Sequence, residues 1–386
     1  MTTILHASGA AELLSAIPVL TGFAPRRSVV LLPFAGSRAG SALRFDAPSP
    51  PSLDSADVEA VAATAVGLAC RVPDTDAIAI AVFTDDALTP GAVPDGALPG
   101  TPIAEQIIRR ARACGLRIVE ALCVGAEGWA DYLDPLAAVR ANDALPPTPE
   151  VPGLAGIGAD QRSGAYLPSA DRAERHQVAQ ALRELERAVD AGPPRAGGRR
   201  GAKVDPRAFA AMLSLDDLPA VLDDALETPE SRPPFVSATL IWVLARPVFR
   251  DVALVQWTRG GEAGSVALDA QLAVSAGRAP ISASLGDVFL GRGPRPDPDR
   301  LGIALLLTRN LAALAPRATR PGVLATAAWL AWALGRSTHT AHYLDLAAAI
   351  DPEHSLCRIL RATIDAGILP EWAFQRAGTN EAGSPT

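Results

Sequence analysis

The chain has 386 residues, a formal charge of -7, 49% hydrophobic residues and 20% charged ones. That length predicts two or three domains with cores of their own, and that balance excludes disordered and fibrous classes. The negative charge argues against a nucleic-acid partner.

In chain order, the first pattern is helical, with Ala10, Leu13, Leu14 and Ile17 on one face and Pro18 as its stop. Ser28–Phe34 is a short continuous apolar run, as a strand buried on both faces should be, and Ala42–Asp46 alternates as its hairpin partner. A helix follows to about Cys70, with Val58, Val61, Ala62, Ala65 and Leu68 on one face. Ala77–Phe83 is a second buried strand, ending at Thr84-Asp85-Asp86. A helix over Ile103–Cys114 and a strand over Leu116–Val124 complete the series. The order β-β-α-β-α-β predicts an α/β domain over residues 1–165, with a mostly parallel sheet and helices on both faces.

Residues 166–205 read as a charged helix followed by a Gly/Pro/Arg linker, and 376–386 as a small polar tail that frays. Between them, residues 206–375 are helical nearly throughout, with loops at Arg259–Gly264 and Gly291–Asp299. This predicts an all-α domain of helical hairpins. Its end is tetratricopeptide-like, because Gly335, Thr340, Ala347 and Pro352 hold the offsets of that repeat's second helix.

Four cysteines, Cys70, Cys114, Cys123 and Cys357, contain no CxxC pair and read as reduced thiols of a cytoplasmic protein. Cys114 and Cys123 flank one predicted strand and could approach each other. No export signal is visible in Met1–Ala16. The most apolar stretches, Phe235–Ala245 and Gly322–Leu334, fall short of the about 20 residues that a membrane helix needs, so no membrane partner is expected.

Gly22-Phe23-x-Pro25-x-x-Ser28-Val29-Val30 followed by Arg44-x-Asp46 resembles the opening of an actinobacterial family, numbered 4192 among the domains of unknown function. Leu167-Pro168-Ser169 with Arg172, Arg250-Asp251, and the stretches Ala327–Trp329, Asp351-Pro352 and Ser355–Gly367 are similar to its later segments. Many members carry a cysteine cluster after the tryptophan corresponding to Trp129, where this chain has none. The resemblance implies a fold and brings no established activity, so the function has to come from the residues.

No GxSxG, HExxH or GxxxxGK[ST] signature is present, and no cofactor is implied. Asp85 and Asp86 follow a strand at the place where open α/β sheets collect ligands. Glu127 and Pro33-Phe34 hold comparable places, and Arg44 shares a strand face with Asp46. Asp85, Asp86 and Arg44 are therefore the catalytic or ligand-binding candidates of an α/β enzyme. His339, His342 and Asp345 fall on adjacent turns of one helix face and are the metal-ligand candidates. Trp332, His339 and His342 are candidates for partner binding, since aromatic anchors dominate interfaces. With no catalytic constellation left standing, the favoured reading is a non-enzymatic module that binds another protein, with self-association open. The alternative is an enzyme or a small-ligand or metal-binding domain acting at the strand ends. A nucleic-acid role would fall to Arg195, Arg199, Arg200 and Lys203 of the linker.

Overall fold

A computed structural model describes residues 8–48, 55–94, 96–134, 136–151, 156–192, 205–230, 232–278 and 283–375. The linker residues Arg195, Arg199, Arg200 and Lys203 and the tail 376–386 lie outside the described residues. The chain forms two compact units, Met1–Gly164 and Ala165–Thr386.

The first unit runs α1 (Ala10–Thr21), β1 (Ser28–Ala35), β2 (Arg38–Ala39), β3 (Leu43–Asp46), α2 (Ser55–Arg71), β4 (Ala77–Phe83), α3 (Thr101–Ala113), β5 (Arg117–Val124), β6 (Gly128–Asp131) and β7 (Arg140–Ala141). The strands form one sheet in the order β2-β1-β4-β5-β6-β7, with β3 also on β1. The α/β class and the helices on both faces hold. Val29, Leu31, Ile78, Ile80 and Val82 turn to α2 and α3, while Val30, Leu32, Ala79 and Ala81 turn to α1. That alternation explains the unbroken apolar runs, since both faces of these strands are covered.

The expected mostly parallel sheet does not hold: only β4 and β5 pair in parallel, and every other pairing is antiparallel. β1 turns straight back into β2 and β3, and α2 then carries the chain over β1 to reach its far edge. Strand β3 is thus followed by a helix and a parallel strand, with an antiparallel β1 between them. Pro33 sits inside β1, a position that a proline tolerates only at an edge or a bulge. Here the register slips by one residue between Phe34↔Ala39 and Leu31↔Leu43, and the Pro33 carbonyl accepts Gly40 N–H at 2.7 Å. The missing N–H of Pro33 faces that bulge. Pro18 does not stop α1, which continues for one turn to an αL cap at Gly22 (φ 80°).

The second unit is helical: α4 (Arg172–Ala191), α5 (Pro206–Ser214), α6 (Leu218–Glu227), α7 (Pro234–Leu244), α8 (Pro247–Arg259), α9 (Gly261–Ser275), α10 (Ala283–Phe289), α11 (Pro298–Leu314), α12 (Arg320–Ala333), α13 (Ser337–Ala348) and α14 (Ser355–Asp365). The charged helix α4 buries Val178, Ala181, Leu182 and Leu185 in this unit's core. Helix α9 occupies what sequence reads as a loop, because Gly260, Gly261 and Gly264 look like breakers. A Cβ on Gly264 would lie 2.7 Å from Gln256 Cβ, so this glycine lets α9 press against α8.

Helix α12 is buried along its whole length and forms the centre of the unit. It ends in a Schellman turn: Arg336 N–H donates to Ala331 C=O and Gly335 N–H to Trp332 C=O, both at 2.8 Å, with Gly335 at φ 74°. The turn sends α13 back alongside α12, and Thr340 and Ala347 are fully buried, as their small size in the pattern predicts. Among the described residues, no helix is long and apolar enough to cross a membrane.

Candidate functional site

The sequence-derived residues at the sheet end do come together, because β3, β4 and β5 all finish there. Pro33-Phe34 do not join them: β1 is antiparallel to β4, so its own carboxyl end lies at the opposite side, with Phe34 beside Ala77. At the shared end the groups satisfy one another. Arg44 Nε donates to the buried Ser28 Oγ at 2.8 Å, its guanidinium pairs with Asp46, and Ser28 Oγ donates to Arg26 C=O at 2.7 Å. Asp85 takes Arg27 at 3.5 Å and Arg26 at 3.8 Å, and Asp86 accepts Thr84 Oγ1 at 2.6 Å. Asp85, Asp86 and Glu127 are exposed. Exposed carboxylates matched by nearby arginines describe a surface that closes the sheet end.

The partner-binding candidates need correction. Trp332 is 1% exposed, donates Nε1–H to Ile368 C=O at 2.9 Å, and packs between Trp329 and Trp372. His339 is also buried. Both belong to the core of a helix pair whose two faces are covered, which an i,i+3 aromatic spacing cannot distinguish from a surface stripe. The metal set does not assemble either: Asp345 pairs with Arg361, and His342 lies edge-on to Tyr166 with centroids 5.4 Å apart. Among the described residues, no cluster of three His, Cys, Asp or Glu side chains could hold a metal.

Beside His342 lies a group that the motif search passed over. Arg336 caps the start of α13, and seven residues on, one face of that helix brings Tyr343 beneath it. Arg309, on α11, completes the cluster. Tyr343 is 0% exposed, yet among the described residues its hydroxyl has no hydrogen-bond partner, and neither has the buried Nε of Arg309. Arg309 Nη2 donates to the Tyr166 carbonyl at 2.5 Å, which fixes that loop above the cluster. Burial pulls the Arg336 guanidinium below its usual value; Tyr343 opposes this, and the like charge of Arg309 adds to it. Burial pushes the Tyr343 phenol up to about 12, against the two arginines, so it stays protonated and able to donate. No carboxylate among the described residues pairs with Arg309 or Arg336.

A buried hydroxyl is ordinarily bonded. The half-buried Arg309 and the exposed Arg336 put positive charge and free donors beside a phenol that has no partner among the described residues, an arrangement that suits an oxyanion. At the rim, Tyr166 is 61% exposed and stands against His342.

Elsewhere in the helical unit a cavity of about 540 Å³ is lined by Arg317, Thr319, Pro321, Ile350, Asp351 and His354, among others. Its charges are mixed. His354 is half-buried, its Nδ1 has no partner among the described residues, and burial, reinforced by Arg250 and opposed by Asp351, lowers its pKa.

The family profile described as a domain of unknown function, DUF4192, matches residues 11–371, nearly the whole chain. The chain belongs to the DUF4192 family. No curated protein and no solved structure matches it. The DUF4192 match spans both units, so it takes in the sheet end as well as the arginine–tyrosine cluster.

Proposed function

We propose that this DUF4192 protein is a non-enzymatic binding module of the cytoplasm that holds an acidic segment of another protein, with a carboxylate seated between Arg309 and Arg336 and bonded to the Tyr343 hydroxyl. The observation that carries the reading is the buried Tyr343 hydroxyl, without a partner among the described residues, beside two arginines that pair with no acid among them. The exposed Tyr166 ring supports a polypeptide ligand, since Tyr and Arg are the residue types that interfaces favour. The buried free thiols Cys123 and Cys357 accord with a reducing compartment. The sheet end of the first unit lends less to an enzyme, because its acids and arginines already satisfy one another.

The test is fluorescence anisotropy with a fluorescein-labelled hexaglutamate peptide, in competition with inorganic phosphate. The reading predicts saturable binding that weakens with salt. The Arg309→Gln and Arg336→Gln variants each lose about tenfold or more in affinity, the loss of one charge-assisted contact at about 1.4 kcal/mol per decade. Binding that the two variants leave unchanged overturns it, as does a site that takes phosphate and ignores the peptide.

A further inference from the structure

Two of the four cysteines are neighbours, and they are not the two that flank a strand. Cys123 is buried and its thiol donates to Pro99 C=O at 3.3 Å. Cys114 instead lies near Cys70, close enough to help burial push the Cys70 thiol up. Helices α2 and α3 both cross from the strand ends to the strand starts on one face of the sheet, packed side by side through Ala62, Ala65, Ala69, Ala104 and Ala111. Small residues along that seam let the helix axes approach closely. Cys70 lies in the last turn of α2 and Cys114 caps the end of α3, so the parallel course of the helices brings both thiols to one end of the seam. Cys114 is held in place by its own cap: its N–H donates to Ala111 C=O at 3.1 Å, and Leu116 N–H donates to the same carbonyl at 2.9 Å. Both side chains are exposed, in contrast to Cys123 and Cys357.

We propose that Cys70 and Cys114 are a redox modification site, closing to an intramolecular disulfide that staples α2 to α3 when the protein meets a hydroperoxide. One thiolate attacks the peroxide, an S–O bond forms, the O–O bond breaks, and the displaced oxygen leaves after protonation, as water from hydrogen peroxide or as an alcohol from an alkyl hydroperoxide. The second sulfur then attacks the sulfenic sulfur, the S–S bond forms, and the S–O bond breaks to release water. Two thiols are oxidised and one hydroperoxide is reduced, with no other reactant. Either exposed thiol can make the first attack, and the other then resolves it. The reaction is reversed by a dithiol reductant.

The test treats the full chain with hydrogen peroxide, blocks remaining thiols with iodoacetamide under denaturing conditions, and measures intact mass and peptide linkages. The expected result is two blocked thiols fewer per chain, a Cys70–Cys114 linked peptide about 2 Da lighter than its reduced parts, and full recovery with dithiothreitol. Cys70→Ser and Cys114→Ser should each abolish the linkage and leave the partner sulfur to progress to sulfinic acid. The proposal is overturned by sulfinic acid at both positions in the unaltered chain, by a link joining other cysteines or two chains, or by four unchanged thiols.

Discussion

Two arginines of the helical unit differ in how their charge is met: Arg250 is buried and paired, whereas Arg336 is exposed and pairs with no acid among the described residues. Arg250, 5% exposed, donates to Asp251 Oδ1 from Nε at 3.0 Å and from Nη2 at 2.8 Å. Removing that acid strands a cation in the interior, so Asp251→Ala should cost about 3–5 kcal/mol in urea unfolding. Arg336 has no such acid among the described residues, and the proposed ligand would supply one. Arg336→Gln should therefore cost the free protein nothing and raise its unfolding midpoint, the usual trade between binding and stability. A drop comparable to that of Asp251→Ala would mean that Arg336 is structural. His354 supplies a pH signature. Its pKa is lowered in the fold from an ordinary 6.5, so the unfolded chain binds the extra proton first. Stability should be level above about pH 6.5 and fall as the pH drops through the folded value; His354→Gln should flatten that slope in melts taken from pH 7.5 to 5.

At the scale of elements, the α12–α13 turn is what makes the cluster. Gly335 takes φ 74° and lets Arg336 close the Schellman bond, which fixes where the Arg336 side chain begins relative to Tyr343. Gly335→Ala should destabilise by about 1–2 kcal/mol through left-handed strain, and it should weaken peptide binding as well, because the cap and the site share a residue. Sequence exposes this turn, since Gly335, Thr340, Ala347 and Pro352 are spaced as in a repeat helix. It does not expose α9, whose glycines are there for contact with α8 rather than to end a helix. Nor does it expose the direction of β1: an apolar strand buried on both faces reads the same whether its neighbours are parallel or antiparallel.

At the scale of the whole molecule, the split into an α/β part and a helical part is legible because hydrophobic spacing changes from continuous short runs to helical periodicity after the Pro/Gly-rich stretch. The site is legible only in part. His342 is singled out by its spacing and does stand at the rim, whereas Trp332 is taken for surface because the helix that carries it is buried all round, and His339 because it lies on the buried side of a helix whose other side is exposed. Arg309, Arg336 and Tyr343 belong to no motif. What marks them is an absence of partners, which exists only once α11 and α13 are packed. The same holds for Cys70 and Cys114, brought together across more than forty residues of chain by two parallel helices.

The most direct measurement is the unfolding temperature of Tyr343→Phe, with and without hexaglutamate. In the free protein the substitution deletes a buried hydroxyl that bonds to none of the described residues, so the midpoint should stay level or rise, while the peptide-induced upward shift of the unaltered protein should shrink or vanish. A free variant that melts lower while keeping the full peptide-induced shift would contradict the account, because the hydroxyl would then serve the fold and not a ligand.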